Sequence, residues 1–233
     1  MLLDVQDLTA GYGKVAVLHE VSLGVAAGEC VAVLGANNAG KSTLLKVISG
    51  LMPARRGTIF FDGADVTADS PGGRVARGII QIPEGRHVFP DLTVEENLLM
   101  GGLRLGAGKR RRTKLAEIYD TFPPLPPMRT RQAGTLSGGE QQLVVIARGL
   151  MAMPRILLLD EPSLGLSPVA IDRVLEVLLP IRDTGTTMLV IEQNAQFCFD
   201  LCSRGYVLRR GRVVTAGKME KLSTEELTRA YFS

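Results

Sequence analysis

Residues 30–42 read CVAVLGANNAGKS, an unbroken β-prone run followed by a glycine-bearing loop and the start of a helical stretch. Gly35 to Ser42 fits the pattern GxxxxGK[ST], in which backbone N–H groups and a helix N-terminus present positive charge to phosphate groups. Lys41 adds a full positive charge near the β- and γ-phosphates, and the Ser42 hydroxyl can hold Mg²⁺. A continuous apolar strand is typical of a parallel sheet that is covered on both faces. The stretch therefore predicts a nucleotide phosphate loop in an α/β fold.

A second buried-type strand is predicted at Ile156–Leu159, and it is followed by two acidic residues, Asp160 and Glu161. Ligands of open α/β sheets bind beyond the carboxyl ends of the strands, so these carboxylates are expected beside the phosphate loop. Asp160 can complete a magnesium shell, and Glu161 can orient a water molecule. Two acidic residues after a strand are common by themselves, but together with a phosphate loop they indicate nucleotide hydrolysis.

A second cradle for anions is predicted within Leu136–Gln142, which reads LSGGEQQ and precedes an apolar helical run. Ser137 and the two glycines that follow it stand at a helix start, where backbone N–H groups can bind a phosphate without a lysine. The alternative is a helix that is simply N-capped by Ser137. Two phosphate cradles with one carboxylate-bearing strand favour the hypothesis that the second cradle serves the nucleotide of another subunit.

The composition is that of a globular protein and excludes several functional classes. The chain has 233 residues, of which 45% are hydrophobic and 22% charged, and this length suits one domain or a two-lobed one. A net charge of +3 and the lack of Trp give no support to a nucleic-acid-binding surface. No apolar run reaches the length of a membrane span, and early acidic residues argue against a signal peptide. We therefore expect a cytosolic chain, or one that other proteins hold at a membrane.

The three cysteines are too few for a disulfide framework, and their odd number indicates a reducing compartment. We expect Cys30, Cys198 and Cys202 to be buried core thiols. Because Cys198 and Cys202 stand four residues apart, a shared metal ion is the alternative.

The hydrophobic pattern divides the chain into a β-rich first part, a helical middle and a second α/β part. Helical character is predicted at Ser42–Ser49 and from Thr93 to about Ala152. The basic run Lys109–Lys114 is interpreted as a solvated helix start or loop rather than a phosphate grip, and Phe122–Pro127 as a stiff loop rather than a polyproline ligand. We predict strands at Leu2–Leu8, Val15–Val25, Cys30–Leu34, Gly57–Asp62, Gly78–Ile82, Ile156–Leu159, Thr187–Ile191, Gly205–Leu208 and Val213–Ala216, with a turn at Ala10–Lys14. The pattern indicates a parallel α/β core interrupted by a helical insertion.

The phosphate loop, LSGGE and ILLLDE, in this order, resemble the motifs of the ATP-binding subunit of ABC transporters. The resemblance runs along essentially the whole chain. It implies a P-loop NTPase of the ABC ATPase type, α/β in class, with a mostly parallel core sheet, an N-terminal antiparallel β subdomain and a helical insertion. Residues 1–233 are then a single nucleotide-binding domain, with the β subdomain and core in 1–92 and 153–233 and a helical signature subdomain in 93–152. The implied activity is ATP hydrolysis coupled to transport.

The resemblance also implies a role for each residue that matches a motif, with ATP and Mg²⁺ as cofactors. Glu161 matches the catalytic glutamate, Gln193 stands at the position of the catalytic switch residue, and Tyr12 matches the aromatic residue that stacks on adenine. The residues that match the phosphate-binding segment are Gly35, Asn37, Asn38, Ala39, Gly40, Lys41, Ser42 and Thr43. The residues that match the magnesium site are Ser42, Asp160 and Glu84. The residues that match the signature, which caps the ATP of the opposite subunit, are Ser137, Gly138 and Gly139.

Four positions carry a residue other than the usual one of the family. Asn38 replaces a glycine of the phosphate loop, and Asn is one of the few residues that tolerate a left-handed backbone. Glu84 replaces a Gln that touches magnesium and the transmembrane partner. Gln193 replaces the switch histidine, and Ser167 replaces the aspartate that follows the catalytic strand.

Several segments narrow the resemblance to branched-chain amino acid importers, and there to the smaller of the two ATPases. They are Pro83–Leu98 (PEGRHVFPDLTVEENL), Leu136–Gln142, Asp160–Pro168 (DEPSLGLSP), Ile191–Asn194 (IEQN) and the ending Ala230-Tyr231. An importer of urea or short-chain amides is the alternative within the class. A soluble ABC ATPase acting on DNA or ribosomes is the alternative outside it, but the long coiled-coil arms or the second domain of such relatives are not found here.

The resemblance further implies a membrane complex. A second ABC ATPase subunit, identical or different, pairs head to tail with this chain and encloses two ATP molecules at the interface. Two integral-membrane permease subunits receive the pair, and an extracytoplasmic solute-binding protein is an indirect partner. Nucleic acid is not an expected partner. The chain would lie peripherally at the cytoplasmic face of the inner membrane.

Overall fold

The computed structural model describes residues 1–222, which form two β-sheets and seven α-helices. The strands are β1 (Leu3–Tyr12), β2 (Val15–Val25), β3 (Cys30–Leu34), β4 (Arg56–Phe61), β5 (Ala64–Asp65), β6 (Ile79–Ile82), β7 (Ile156–Asp160), β8 (Thr187–Glu192), β9 (Arg204–Arg209) and β10 (Arg212–Lys218). The helices are α1 (Lys41–Ile48), α2 (Pro71–Ala76), α3 (Val94–Gly101), α4 (Lys109–Thr121), α5 (Gly138–Met151), α6 (Pro168–Asp183) and α7 (Ala195–Leu201). The ending Ala230-Tyr231, which contributed to the subfamily resemblance, lies outside the described residues.

The larger sheet is mostly parallel. Its six strands follow the order β10-β9-β3-β8-β7-β6, and only the pair of β9 and β10 is antiparallel within the described chain. The smaller sheet is antiparallel and has the order β2-β1-β4-β5. The sequence predicted a mostly parallel core sheet with an N-terminal antiparallel β subdomain. The two sheets confirm this fold class.

The central strands are buried because α3, α5, α6 and α7 cover one face of the larger sheet, and the smaller sheet together with α1 covers the other. Every residue of β3, β7 and β8 is buried. In β3, Ala32 and Leu34 pack into a core shared with α3, α5, α6 and α7. Val31 and Val33 pack into a second core shared with α1 and the smaller sheet. The continuous apolar runs of these strands follow from this two-sided burial.

The first hairpin turns later than the sequence predicted. β1 continues to Tyr12 and β2 begins at Val15, so the turn is Gly13-Lys14 and the predicted turn at Ala10–Lys14 is wrong. Gly13 supplies the left-handed turn, with a φ of 52°. Gly11 lies within β1, and a Cβ there would overlap the Val15 carbonyl of the paired strand, so this position requires glycine. A glycine that permits close approach of two strands was thus mistaken for a turn residue.

Two helices in the middle of the chain, α3 and α5, start with strong caps. Thr93 precedes α3 and Ser137 precedes α5, and each forms a capping box with the Glu three residues later. The basic run beginning at Lys109 opens α4, in agreement with the predicted helix start. Phe122–Pro127 connects α4 to a short 3₁₀ turn, with Phe122 buried, as expected of a loop between helices. No helix in residues 1–222 has the length and apolar character needed to cross a membrane.

The three cysteines are free and buried, which confirms the prediction of core thiols. Cys30 Sγ lies 3.2 Å from Cys202 Sγ. Burial raises the pKa of the Cys198 thiol, so that side chain stays protonated. Within the described part of the chain, no group of three or more His, Cys, Asp and Glu side chains is placed to hold a metal ion. The alternative of a metal pair at Cys198 and Cys202 therefore gains no support.

Candidate nucleotide-binding site

The phosphate loop connects β3 to α1 at the carboxyl end of β3. Gly35 is pressed against the neighbouring strand, since a Cβ there would lie 2.5 Å from the Leu208 carbonyl oxygen. Asn38 takes a left-handed φ of 65°, and Gly40 follows with a φ of 105° before α1 begins at Lys41. The expectation that Asn38 fits a left-handed position in this loop is confirmed.

Lys41 carries the positive charge of the loop and is 4% exposed. Its ammonium donates to the carbonyl oxygens of Gly35 at 2.8 Å and Ala36 at 3.0 Å. It also lies 3.1 Å from Glu161 Oε1, and the Glu161 side chain is only 8% exposed. A phosphate bound in the loop would compete with Glu161 for this cation.

The backbone turns sharply at Glu161, directly after β7. Glu161 has a left-handed φ of 46°, and its N–H donates to the Ile191 carbonyl oxygen of β8 at 2.8 Å. A left-handed residue without a glycine costs about 1 kcal/mol or more, and such strain concentrates at functional sites. The turn places the Glu161 side chain beside the phosphate loop, as its position after the strand predicted.

Ser42 and Asp160 form the candidate magnesium site. Ser42 Oγ donates to Asp160 Oδ1 at 3.3 Å. Burial and the nearby carboxylates of Glu161 and Glu84 raise the pKa of Asp160 to about 6. A bound divalent cation offsets this crowding of negative charge. A hydroxyl and carboxylates are hard oxygen ligands that suit Mg²⁺, which commonly takes its remaining ligands from phosphates and water.

One open cleft of about 640 Å³ collects most of the predicted nucleotide-binding residues. Tyr12 is 50% exposed in its wall, so the ring offers a free face to a planar base. The Tyr12 hydroxyl accepts a hydrogen bond from Lys46 Nζ at 3.4 Å. The predicted residues that line the cleft are Tyr12, Asn37, Asn38, Gly40, Lys41, Ser42, Thr43, Glu84 and Glu161, and Val17 and Leu164 complete the wall.

Gln193 is exposed at the end of β8 and does not line this cleft. Its neighbour Glu192 is 1% exposed and was not identified from the sequence. The Glu192 carboxylate accepts the N–H groups of Ser163 at 2.7 Å, Gln193 at 2.9 Å and Asn194 at 3.1 Å. Burial raises the pKa of Glu192. This carboxylate ties the loop after β7 to the loop after β8, and an acidic residue ending an apolar strand was the signal that could have revealed it.

Ser137, Gly138 and Gly139 lie at the N-terminus of α5, and none of them lines the cleft. The Ser137 hydroxyl accepts the N–H of Glu140 at 3.4 Å, and the Glu140 carboxylate accepts the N–H of Ser137 at 2.7 Å. Ser137 is therefore a helix cap, as the simpler alternative expected. A role of these residues toward the nucleotide of another subunit stays a prediction.

Comparison with known sequences places the chain in a family. A family model described as "ABC transporter" matches residues 18–164. The high-affinity branched-chain amino acid transport ATP-binding protein BraG of Pseudomonas aeruginosa is 42% identical over 213 residues, which are 91% of each chain. The probable branched-chain amino acid transport ATP-binding protein LivF of Archaeoglobus fulgidus is 36% identical over 94% of this chain and 93% of its own. The lipopolysaccharide export system ATP-binding protein LptB of Haemophilus influenzae is 33% identical over 99% and 96%.

Solved structures share the fold along nearly the full length. The ADP conformation of MJ1267, an ATP-binding cassette of an ABC transporter, gives a TM-score of 0.90 at 27% identity and covers 100% of this chain and 98% of its own. A dimeric post-hydrolysis state of the ATP-binding cassette MJ0796, bound to ADP and phosphate, gives 0.80 at 25% identity over 93% and 98%. Motifs, fold and relatives thus agree, and the chain belongs to the ABC transporter family as one of its ATP-hydrolysing subunits.

Proposed function

We propose that this chain energises an importer of branched-chain amino acids. The observation that carries the proposal is its likeness to BraG, at 42% identity over 91% of both chains. LivF supports it at 36% identity over a similar span. LptB belongs to an export system and is less similar, at 33% identity. ATP-binding subunits of transporters with different cargo thus resemble this chain, but less closely. The cargo itself is then selected by the membrane partners rather than by this chain.

The proposed domain division places the β subdomain and ATP-binding core in 1–92 and 153–233, and a helical signature subdomain in 93–152. The described helices α3, α4 and α5 all fall in the second unit. An isolated antiparallel bridge between Thr93 and Gln132 links the beginning of this unit to the segment before α5. These contacts support a helical unit inserted between β6 and β7 of the core.

The proposed catalytic sequence begins with the Lys41–Glu161 ion pair. ATP phosphates enter the loop from Gly35 to Thr43, and Lys41 turns from Glu161 to the β- and γ-phosphates. Ser42, Asp160 and Glu84 would hold Mg²⁺, which when bound neutralises phosphate charge. Glu161, released from its cation, accepts a hydrogen bond from water and aims it at the γ-phosphorus. The Gln193 amide can hydrogen-bond the γ-phosphate or that water but does not change charge near neutral pH.

A pair of subunits is proposed to complete the site. The signature residues Ser137, Gly138 and Gly139 stand outside this chain's own cleft. In a head-to-tail pair they would face the ATP held by the other subunit, whether that subunit is identical or different. The dimeric relative bound to ADP and phosphate supports this assembly. Hydrolysis removes the γ-phosphate that joins the two halves, so ATP closes the pair and hydrolysis opens it.

The segment around Phe89 is the proposed docking surface for a permease subunit. The Phe89 ring is 44% exposed and lies 5.0 Å from the Arg148 guanidinium, which also donates to the His87 carbonyl. An exposed aromatic ring supported by a cation is a suitable anchor for a partner helix. Two permease subunits would hold the ATPase pair at the cytoplasmic face of the inner membrane, with an extracytoplasmic solute-binding protein delivering the cargo.

Solute uptake in the native host tests this proposal. Deletion of the coding sequence should abolish high-affinity uptake of labelled leucine, isoleucine and valine while uptake of labelled urea continues. The parent sequence should restore uptake on complementation, whereas a Glu161→Gln variant should not. Loss of urea uptake with unchanged leucine uptake would assign the chain to the alternative importer class.

A further inference from the structure

Arg86 occupies an unusual place between the nucleotide cleft and the proposed docking segment. It follows Gly85 and takes a left-handed φ of 51° itself, a strained conformation for a long side chain. Glu84, two residues earlier, lines the cleft, and Phe89, three residues later, is exposed. The backbone thus accepts strain at the point where Arg86 projects from this segment.

The Arg86 guanidinium lies against two glycines from different parts of the chain. A Cβ at Gly138, the first residue of α5, would overlap Arg86 Nη1. A Cβ at Gly165, in the loop between β7 and α6, would lie 3.1 Å from Arg86 Nη2. The missing side chains at these two positions make room for the guanidinium beside the signature residues.

No hydrogen bond or ion pair within residues 1–222 engages the Arg86 guanidinium. Two other arginines do donate hydrogen bonds: Arg148 to the His87 carbonyl and Arg104 to the Val75 carbonyl. The positive charge of Arg86 therefore lies half-buried beside α5 without a counter-charge of its own.

A bound anion would make this placement electrostatically more favourable. The N-terminus of α5 already carries partial positive charge, and a cation beside it adds repulsion. The Glu140 carboxylate accepts the Ser137 N–H, and it forms no ion pair with Arg86 in the described chain. An anionic group bound over Gly138 and Gly139 would be attracted by both the helix terminus and the guanidinium.

We propose that Arg86 is the fixed positive charge of the signature site and helps to receive the terminal phosphate of the ATP held by the opposite subunit. The signature LSGGE has no lysine of its own, in contrast to the phosphate loop with Lys41. Arg86 supplies the missing charge from a segment far away in sequence. The inference rests on the proposed head-to-tail pairing of two ATPase subunits.

The test is ATP-dependent association of the full-length chain in a Glu161→Gln background, with its partner ATPase added if the pair is mixed. Association is followed by light scattering at increasing ATP and at several salt concentrations. Arg86→Gln should require about tenfold more ATP for half-maximal association, the worth of one hydrogen bond to a charged group. Its association should also depend less on salt, because one charge contact is removed. Arg86→Lys should recover most of the loss.

Two controls separate a charge role from a structural one. ADP binding by each single chain should stay at the parental value, because the substitutions do not touch the cleft around Lys41. Parental ADP binding also shows that the variants are folded. Arg77→Gln, which removes a surface guanidinium paired with Asp69, should leave association unchanged.

Parental ATP dependence in Arg86→Gln, or an Arg86→Lys variant no better than Arg86→Gln, would overturn the inference alone. If the Glu161→Gln parent itself does not associate with ATP, all variants will behave alike. That result would overturn the subunit pairing together with the inference.

Discussion

The ion pair of Lys41 with Glu161 connects phosphate binding to the proposed catalytic carboxylate at the scale of single residues. Both side chains are less than one-tenth exposed, and their charged atoms are 3.1 Å apart. Each neutralises the other in a poorly solvated site, so replacing one leaves the second charge without compensation. In the proposed mechanism the γ-phosphate replaces Glu161 beside Lys41. Phosphate binding and release of the carboxylate would then be one event.

Lys41→Ala is expected to reduce ATP hydrolysis below detection, because the phosphates lose their cation. The chain should still fold, but the free energy of unfolding should fall by about 3–5 kcal/mol, since Glu161 is left buried without its partner. Calorimetry and a phosphate-release assay measure the two effects. Addition of Glu161→Gln to Lys41→Ala should restore stability without restoring hydrolysis. Unchanged turnover in Lys41→Ala would remove the lysine from the phosphate site.

Gln193→Ala is expected to slow hydrolysis at least tenfold at saturating ATP, because an amide that contacts the γ-phosphate or the attacking water is lost. Gln193→His should keep part of the activity, since an imidazole nitrogen can occupy the same hydrogen bond. Steady-state kinetics of the assembled complex give the comparison. An Ala variant with parental turnover would show that this exposed residue takes no part in the reaction.

Sequence motifs were enough to name the candidate site residues, but they did not show which carboxylate contacts Lys41. Position after a strand was enough to bring Asp160 near Ser42, and the tolerance of Asn for left-handed backbone anticipated Asn38. Which carboxylate approaches Lys41 depends on the left-handed turn at Glu161, which leaves no local mark in the sequence. The contact of Arg86 with Gly138 depends on tertiary packing for the same reason.

At the scale of elements, buried strands were predicted well and polar or short elements poorly. β3, β7 and β8 are continuous apolar runs, and each could be predicted as a strand from the sequence alone. β5 has two residues and α2 has six, too few for a periodic pattern. α6 was not predicted although it has 16 residues and an apolar face, since Pro180 stands inside it and proline usually interrupts a helix. Its start is nevertheless capped by Ser167, whose hydroxyl accepts the N–H of Ala170.

Two capping boxes of the same type separate a structural role of Ser137 from a functional one. Thr93→Ala and Ser137→Ala each remove one helix cap, and each should lower the free energy of unfolding by about 1 kcal/mol. ATP-dependent association and hydrolysis should fall about tenfold or more in Ser137→Ala alone, because Thr93 has no proposed contact with nucleotide. Equal effects of the two substitutions on hydrolysis would leave Ser137 as a cap only.

At the scale of the whole molecule, the nucleotide cleft lies apart from the signature residues and from the proposed docking surface. The cleft lies at the carboxyl end of β3 and β7, while the signature and the segment around Phe89 lie toward the helical middle. The proposed head-to-tail pair would bring the signature of one molecule to the cleft of the other. The overall class could be predicted because apolar runs and motif order specify a parallel core. The order of the strands in the sheet needs contacts between distant segments, which one sequence does not display.

Phe89→Ala should weaken assembly with the permease subunits at least tenfold, because a large exposed ring is removed from the proposed docking surface. The ATPase rate of the isolated chain should change less than twofold. Co-purification from membranes and a phosphate-release assay give the two values. Val214→Ala, at an exposed apolar residue of β10, is the matched control and should assemble normally. Loss of ATPase activity with normal assembly would place Phe89 in the active site instead.

The most direct test of the account is ATP turnover by Glu161→Gln, measured together with ATP binding by the same variant. The substitution keeps the size of the side chain but removes the base that polarises water and the negative charge that competes for Lys41. Hydrolysis should fall by roughly 10² to 10⁴, the usual contribution of a positioned general base. ATP binding should be as tight as in the parent or tighter, because Lys41 no longer has to leave a carboxylate. Turnover at the parental rate, or binding weakened in step with turnover, would contradict the assignment of Glu161 and the coupling between phosphate binding and its release.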